Sequence, residues 1–180
     1  MTYFKPSLDE IRLPINNYPS RVPSVQEREL ILKKLPQSGR ILSLDIGLKH
    51  VGVAVCDELR ISVKPLVTLQ RGSWKKLLKD TMKLIEEYNV VALVLGLPLN
   101  LDGTENEMTS HVKRLYRNYS LSLKIPVFLQ DERLTSYEAE RLLKAKGYSI
   151  REINRHRDQV AAAIILEDFL SRLRAYGFAS

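Results

Sequence analysis

Short apolar runs alternate with amphipathic segments from residue 40 to the end of the chain. Three β-rich runs joined by short turns come first, and this pattern predicts an antiparallel meander. Apolar residues at helical spacing then alternate with two further apolar runs, which predicts crossover helices and parallel strands. The predicted strands are 40–46, 51–56, 61–69, 90–95 and 125–129, and the predicted helices are 73–88, 108–119, 135–146 and 158–174. This order predicts an α/β fold with a mixed five-stranded sheet and helices on both faces.

The first 38 residues follow a different pattern. Five prolines interrupt them, and only 24–34 has the spacing of a short helix. We therefore predict an N-terminal arm over 1–38 and one globular domain over 39–176. A cleaved organellar targeting segment is the alternative for the arm, although four acidic residues make it less acid-poor than such segments usually are.

The composition of the chain limits the cellular locations and the binding partners that we expect for the protein. No apolar run approaches the roughly 20 residues that span a bilayer, and the N-terminus lacks the order of a secretory signal, so we expect a soluble protein of the cytoplasm. The single cysteine, Cys56, lies in an apolar run, which predicts a buried thiol and excludes an internal disulfide or a cysteine-based zinc site. Lys and Arg number 28 against 21 Asp and Glu, and the net charge of +7 favours a polyanionic partner such as nucleic acid.

Carboxylates stand at the ends of several predicted elements. Asp45 lies inside an apolar strand, where a charge is costly unless something pairs with it, and a salt bridge or a turn cap is the alternative. Asp131 and Glu132 follow a strand at the edge where α/β sheets build sites, and we expect only one of them to face Asp45. Asp158 precedes an apolar helix, where an N-cap is the plain interpretation.

Together these acids would form an all-oxygen cluster suited to Mg²⁺ or Mn²⁺. Two such cations roughly 3.5–4 Å apart can activate water and stabilise the leaving oxygen in phosphodiester hydrolysis. The candidate catalytic residues are Asp45, Asp131, Glu132 and Asp158, and the candidate metal ligands are Asp45, Glu132 and Asp158.

Basic and amide side chains near the acids are candidate nucleic-acid contacts. Gly47 is predicted to take the positive φ of a tight hairpin, and Gly52 to leave room for a backbone or a phosphate, so the turn between them would hold its side chains near Asp45. The alternative is a solvated hairpin tip for Lys49, a plain turn for Asn100 and a solvated loop for the arginines. The candidates are Lys49, His50, Asn100, Arg133, Arg155 and Arg157.

Four motifs in one order resemble the family of pre-16S ribosomal RNA nucleases, also described as Holliday-junction-resolvase-like proteins. They are LDIGLKHVGVA at 44–54, GLPLNLDG at 96–103, DERLTS at 131–136 and DQVAAAIIL at 158–166. The resemblance covers about residues 40–173 and implies a ribonuclease H-like fold and a nuclease that matures the 5′ end of small-subunit ribosomal RNA. The arm lies outside it.

The resemblance also assigns the acids. Asp45 matches the family's first-strand acid, the Asp131 and Glu132 pair its second acidic motif, and Asp158 its last-helix acid. His50 stands where the family usually has arginine, and Ser136 where threonine is common, which affects the expected phosphate contact but not the acids.

Two other functions use the same residues. Resolution of branched DNA junctions would need the same chemistry, and a basic surface binds RNA or DNA alike. A non-catalytic nucleic-acid-binding module is disfavoured because acids beside phosphates would weaken binding. An ATPase of the sugar-kinase type is excluded because 180 residues are too few for its two lobes.

Overall fold

A mixed five-stranded sheet is the centre of the computed structural model, which describes residue 8 and residues 25–132 and 135–178. Its spatial order is β3-β2-β1-β4-β5, with β1, β2 and β3 antiparallel and β4 and β5 parallel to β1. The strands are β1 (Arg40–Ile46), β2 (His50–Cys56), β3 (Val63–Gln70), β4 (Val90–Leu97) and β5 (Val127–Asp131). The predicted α/β fold of the ribonuclease H-like type is confirmed.

Helices cover both faces of this sheet because strand side chains alternate between its two sides. Leu42 and Leu44 of β1 face one core, where they meet Leu77 and Val112 from two helices. Ile41 faces the other core, which contains residues of the last helix. The helices are α1 (Val25–Lys34), α2 (Trp74–Glu87), α3 (Glu107–Ser122), α4 (Thr135–Ala145) and α5 (Ile150–Ala175).

Helix α5 differs most from its prediction. It begins at Ile150 rather than at 158, because the Ser149 side chain accepts from the Glu152 backbone N–H and Glu152 accepts from the Ser149 N–H. Arginine and glutamate are good helix formers, and the two isoleucines of this polar first part are too few to show an apolar period. Asp158 therefore lies in the third turn, so the N-cap interpretation is wrong, and residues 151–157 are helical rather than the solvated loop that was the alternative for their arginines.

Several local predictions can also be compared with the structure. Gly147 has a φ of 77° and ends α4 as predicted, whereas Gly47 does not have the predicted positive φ. Strand β5 starts after Pro126, later than predicted, and reaches Asp131. Cys56 is buried, and burial raises the pKa of its thiol to about 11. Thr135 and Glu138 have the sequence spacing of a capping box, but the side chain of Thr135 is outside those that the structure describes.

Part of the predicted arm packs on the sheet. Ile31 of α1 and Leu35 directly after it are each 4% exposed and join the core formed with α5. The boundary between arm and domain at residue 38 stays a prediction. Within the described ranges, no helix combines the length and the apolarity needed to cross a membrane.

Candidate active site

Three carboxylates from separate elements line one open cleft at an end of the sheet. Asp45 is near the end of β1, Glu132 directly follows β5, and Asp158 is in α5. The cleft has a volume of about 520 Å³, and Pro98 and Met108 line it as well. The structure thus brings the three predicted metal ligands together, while their roles stay predictions.

Close packing of α5 on the first hairpin places Asp158 beside Asp45. Asp45 is paired with Gly52 in the β1–β2 register, and a Cβ on Gly52 would overlap the backbone carbonyl oxygen of Asp158. The buried Ser43 hydroxyl donates to the Ala162 carbonyl at 2.7 Å and ties β1 to the same helix. The close backbone approach predicted at Gly52 is therefore that of α5.

A second glycine makes room for Glu132. A Cβ on Gly96 in β4 would overlap the Glu132 carboxylate and would lie 2.7 Å from Cδ1 of Ile165. The Glu132 backbone N–H donates to the Leu97 carbonyl at 3.2 Å, which continues the pairing of β5 with β4. Because neighbouring side chains alternate, Glu132 enters the cleft, and Asp131 is not among the residues that line it.

The electrostatics of the cleft disfavour its negative charges. Burial raises the pKa of Asp45 to about 7, with repulsion from Asp158 as the next cause and Arg157 opposing both. Burial also raises the pKa of Glu132 well above its usual range, and Asp45 and Asp131 add to the effect. A cation placed between these carboxylates would favour their charged forms.

Three basic residues line the cleft around the acids: Lys49, His50 and Arg157. Nδ1 of His50 lies 3.5 Å from Oδ2 of Asp158, and Nε of Arg157 lies 3.4 Å from Oδ1 of the same carboxylate. Both distances are long for hydrogen bonds, so neither ion pair is tight. The side chains of His50 and Arg157 are 43% and 40% exposed, which leaves them accessible to a ligand.

Two of the remaining predicted contacts, Arg155 and Asn100, do not line the cleft. Arg155 and Arg157 are about 200° apart around a helix, so Arg155 points away from the cleft and is exposed. The Asn100 side chain donates to Oγ1 of Thr104 at 2.8 Å and accepts from Asn106 at 3.2 Å, which closes a local turn. Arg133 lies outside the described residues.

Arg71 is a positioning residue that sequence reasoning missed. Its guanidinium donates to the Gly47 carbonyl at 2.7 Å, and its backbone N–H donates to the Lys49 carbonyl at 2.9 Å. It therefore fixes the turn between β1 and β2, although it lies more than twenty residues further along the chain. A contact over such a separation leaves no local pattern in the sequence. Gly96 was also missed, although a glycine inside an apolar strand is a signal of close approach.

The donor set is suited to a hard divalent cation without forming a complete cage. Within residues 25–132 and 135–178, no three His, Cys, Asp or Glu side chains are grouped closely enough to hold an ion by themselves. Mg²⁺ usually keeps several waters and is held by one or two carboxylates together with substrate phosphates. The oxygen ligands of Asp45 and its neighbours fit that mode of binding.

Comparison with known proteins identifies the family of the chain. The family model that matches is described as RuvX, Holliday junction resolvase, and covers residues 39–172. A "Putative pre-16S rRNA nuclease" of Syntrophus aciditrophicus (strain SB) is 40% identical over 134 residues, which are 74% of this chain and 89% of that protein. One of the same name from Paracoccus denitrificans (strain Pd 1222) is 36% identical over 149 residues, 83% of this chain and 94% of that protein.

Solved structures with a similar arrangement include Thermus thermophilus RuvC in complex with a Holliday junction substrate. It aligns with 11% identity and a TM-score of 0.49 over 77% of this chain and 97% of that one. The family assignment depends on the sequence matches, which span most of this chain and most of its relatives. The chain belongs to the RuvX family.

Proposed function

We propose that the chain is a Mg²⁺-dependent nuclease that hydrolyses phosphodiester bonds in the precursor of small-subunit ribosomal RNA. The observation that supports the chemistry is the convergence of Asp45, Glu132 and Asp158 on one open cleft. The identity of the substrate is inferred from the relatives, which are named as nucleases of pre-16S rRNA.

The residues of the cleft divide into two groups by charge. Asp45, Glu132 and Asp158 would hold the cation, whose chemistry is Lewis-acid stabilisation of the phosphoryl oxygens during hydrolysis. Lys49 and Arg157 border the same space and would orient the phosphate of the strand. Hydrolysis breaks one phosphorus–oxygen bond with water and leaves a phosphate and a hydroxyl end.

A non-catalytic binding module does not account for the acids. Their burial and mutual repulsion raise the pKa values of Asp45 and Glu132, so the cluster destabilises the fold when it is charged and empty. A surface that only held phosphates would gain affinity from basic residues at these positions. The acids are therefore best explained by a cation.

Branched DNA is the second candidate substrate, because the family model is described as a Holliday junction resolvase. Resolution needs two symmetric cuts, which a pair of facing clefts in a dimer would supply. The same chemistry would serve both substrates, so the substrates themselves must be compared.

The test incubates the protein with a small-subunit rRNA precursor and with a four-way DNA junction, in Mg²⁺ or in EDTA. We expect Mg²⁺-dependent cutting of the RNA, and Asp45→Asn should slow it on the order of 100-fold or more. Asp80→Asn is the matched control, because Asp80 pairs with Lys76 on α2, outside the cleft. If neither substrate is cut, or if Asp45→Asn cuts as fast as the parent, the nuclease proposal fails.

A further inference from the structure

Two arginines and a histidine form a cluster that the proposed reaction does not use. Arg71 follows β3, and His111 and Arg114 are one turn apart on α3. The Arg71 guanidinium contacts Nε2 of His111, and Nη2 of Arg114 lies 3.1 Å from Nδ1 of the same ring. We call Arg71, His111 and Arg114 the basic cluster.

The basic cluster borders the cleft. Arg71 donates to the carbonyls of Gly47 and Lys49, and both of these residues line the cleft. Met108, which also lines the cleft, is one helical turn before His111 on α3. A polynucleotide that passed from the cleft along this rim would meet the basic cluster.

The hydrogen bonding of the basic cluster is incomplete without an additional acceptor. Burial and the charges of Arg71 and Arg114 lower the pKa of His111, so its ring is neutral near pH 7. A neutral imidazole has one nitrogen that accepts and one that donates, whereas a guanidinium only donates. In one of the two arginine contacts, an imidazole N–H of His111 therefore faces a guanidinium N–H.

The charges of the basic cluster are also unbalanced. Neither arginine forms an ion pair with an Asp or Glu among the residues that the structure describes. The Arg71 guanidinium is partly buried and the Arg114 guanidinium is exposed, and two positive charges beside one ring attract an anion. Guanidinium groups match the oxygens of a phosphate with paired hydrogen bonds.

We propose that the basic cluster binds a backbone phosphate of the same nucleic-acid strand whose scissile bond lies in the cleft. The phosphate oxygens accept from Arg71 and Arg114, and they also accept from His111, which removes the conflict between donors. This inference deepens the proposed function and rests on it for the identity of the ligand as a polynucleotide.

The first test measures binding of a short single-stranded RNA in EDTA, where no cutting occurs. Arg114→Gln should weaken binding about 5- to 30-fold and reduce the salt-dependence slope by about 1. Arg114→Lys, which keeps the charge, should restore part of the affinity. Arg117→Gln is the matched control, because Arg117 is an exposed arginine three residues further along α3, and it should change affinity by less than about twofold. Equal effects of the two glutamine variants, or no effect of Arg114→Gln, would overturn the proposal.

The second test follows the His111 ring by NMR as a function of pH. An added RNA strand should raise the pKa of His111, since a bound phosphate favours the imidazolium. Inorganic phosphate should raise it only at much higher concentration. No change with RNA, or a change with inorganic phosphate alone, contradicts a strand-binding role. Because both tests are made without metal, they are independent of whether the protein cuts RNA.

Discussion

The Asp45 carboxylate lies among groups that disfavour its charge. Burial, followed by Asp158, raises its pKa to about 7, whereas an unfolded aspartate has a pKa of about 3.9. Between these values the folded protein holds a proton that the unfolded chain has lost. The cost to stability is therefore absent below about pH 4 and complete above about pH 7, so the metal-free protein loses stability as the pH rises through this window.

Removing this charge should stabilise the protein. We expect Asp45→Asn to raise the free energy of unfolding at pH 8, in EDTA, on the order of 1–3 kcal/mol, with a much smaller gain at pH 4.5. Urea denaturation at the two pH values measures the difference. Asp80→Asn should give no such gain, because Asp80 forms an ion pair with Lys76. An Asp45→Asn protein no more stable than its parent at pH 8 would contradict the assigned cause.

At the scale of elements, two glycines set how closely the acid-bearing segments approach. Gly52 in β2 admits the backbone of α5 at Asp158, and Gly96 in β4 admits the side chain of Glu132. The obstacles to a methyl group differ in kind, because a helix backbone cannot yield, whereas the end of a glutamate side chain can rotate. The two substitutions should therefore separate damage to the fold from damage to the site.

We expect Gly52→Ala to lower the free energy of unfolding by about 3 kcal/mol, because α5 must move away from the hairpin. Gly96→Ala should cost less stability, since Glu132 can turn aside, but nuclease activity should fall as its carboxylate leaves the cleft. Urea denaturation and the rate of RNA cutting measure the two effects. Gly72→Ala is the control, because Gly72 is exposed and its nearest neighbour is the flexible side chain of Lys76. If Gly52→Ala is as stable as Gly72→Ala, the described contact is wrong.

At the scale of the whole molecule, the cleft joins elements that are far apart in the chain. Asp45, Glu132 and Asp158 come together only when β1, β5 and α5 are packed on one sheet. The unfolded chain has no such site, so a cation that binds here binds the folded state alone. Its binding free energy then adds to the stability of the whole domain.

Mg²⁺ should accordingly raise the melting temperature. At a Mg²⁺ concentration of 100 times the dissociation constant, the stabilisation should be about 2.7 kcal/mol. Thermal denaturation in MgCl₂ and in NaCl of equal ionic strength separates specific binding from screening. Asp45→Asn should lose the Mg²⁺ effect, and an equal rise in both proteins would show that the cation binds elsewhere.

Local patterns in the sequence determined the order and type of the elements. The period of apolar residues depends on neighbours within one strand or helix, and so it predicted the strands of the sheet. The same local logic predicted the buried Cys56 and the helix end at Gly147. The acids within the motifs led to the proposed metal-dependent chemistry, because carboxylate oxygens are suited to divalent cations.

Only the tertiary structure decided which side chains meet. The choice of Glu132 over Asp131 depends on where β5 ends against β4, and the place of Asp158 depends on how closely α5 packs on Gly52. The basic cluster joins Arg71 to a helix some forty residues later. Such contacts are set by the packing of distant elements, for which the chain carries no local period, so one sequence alone could not show them.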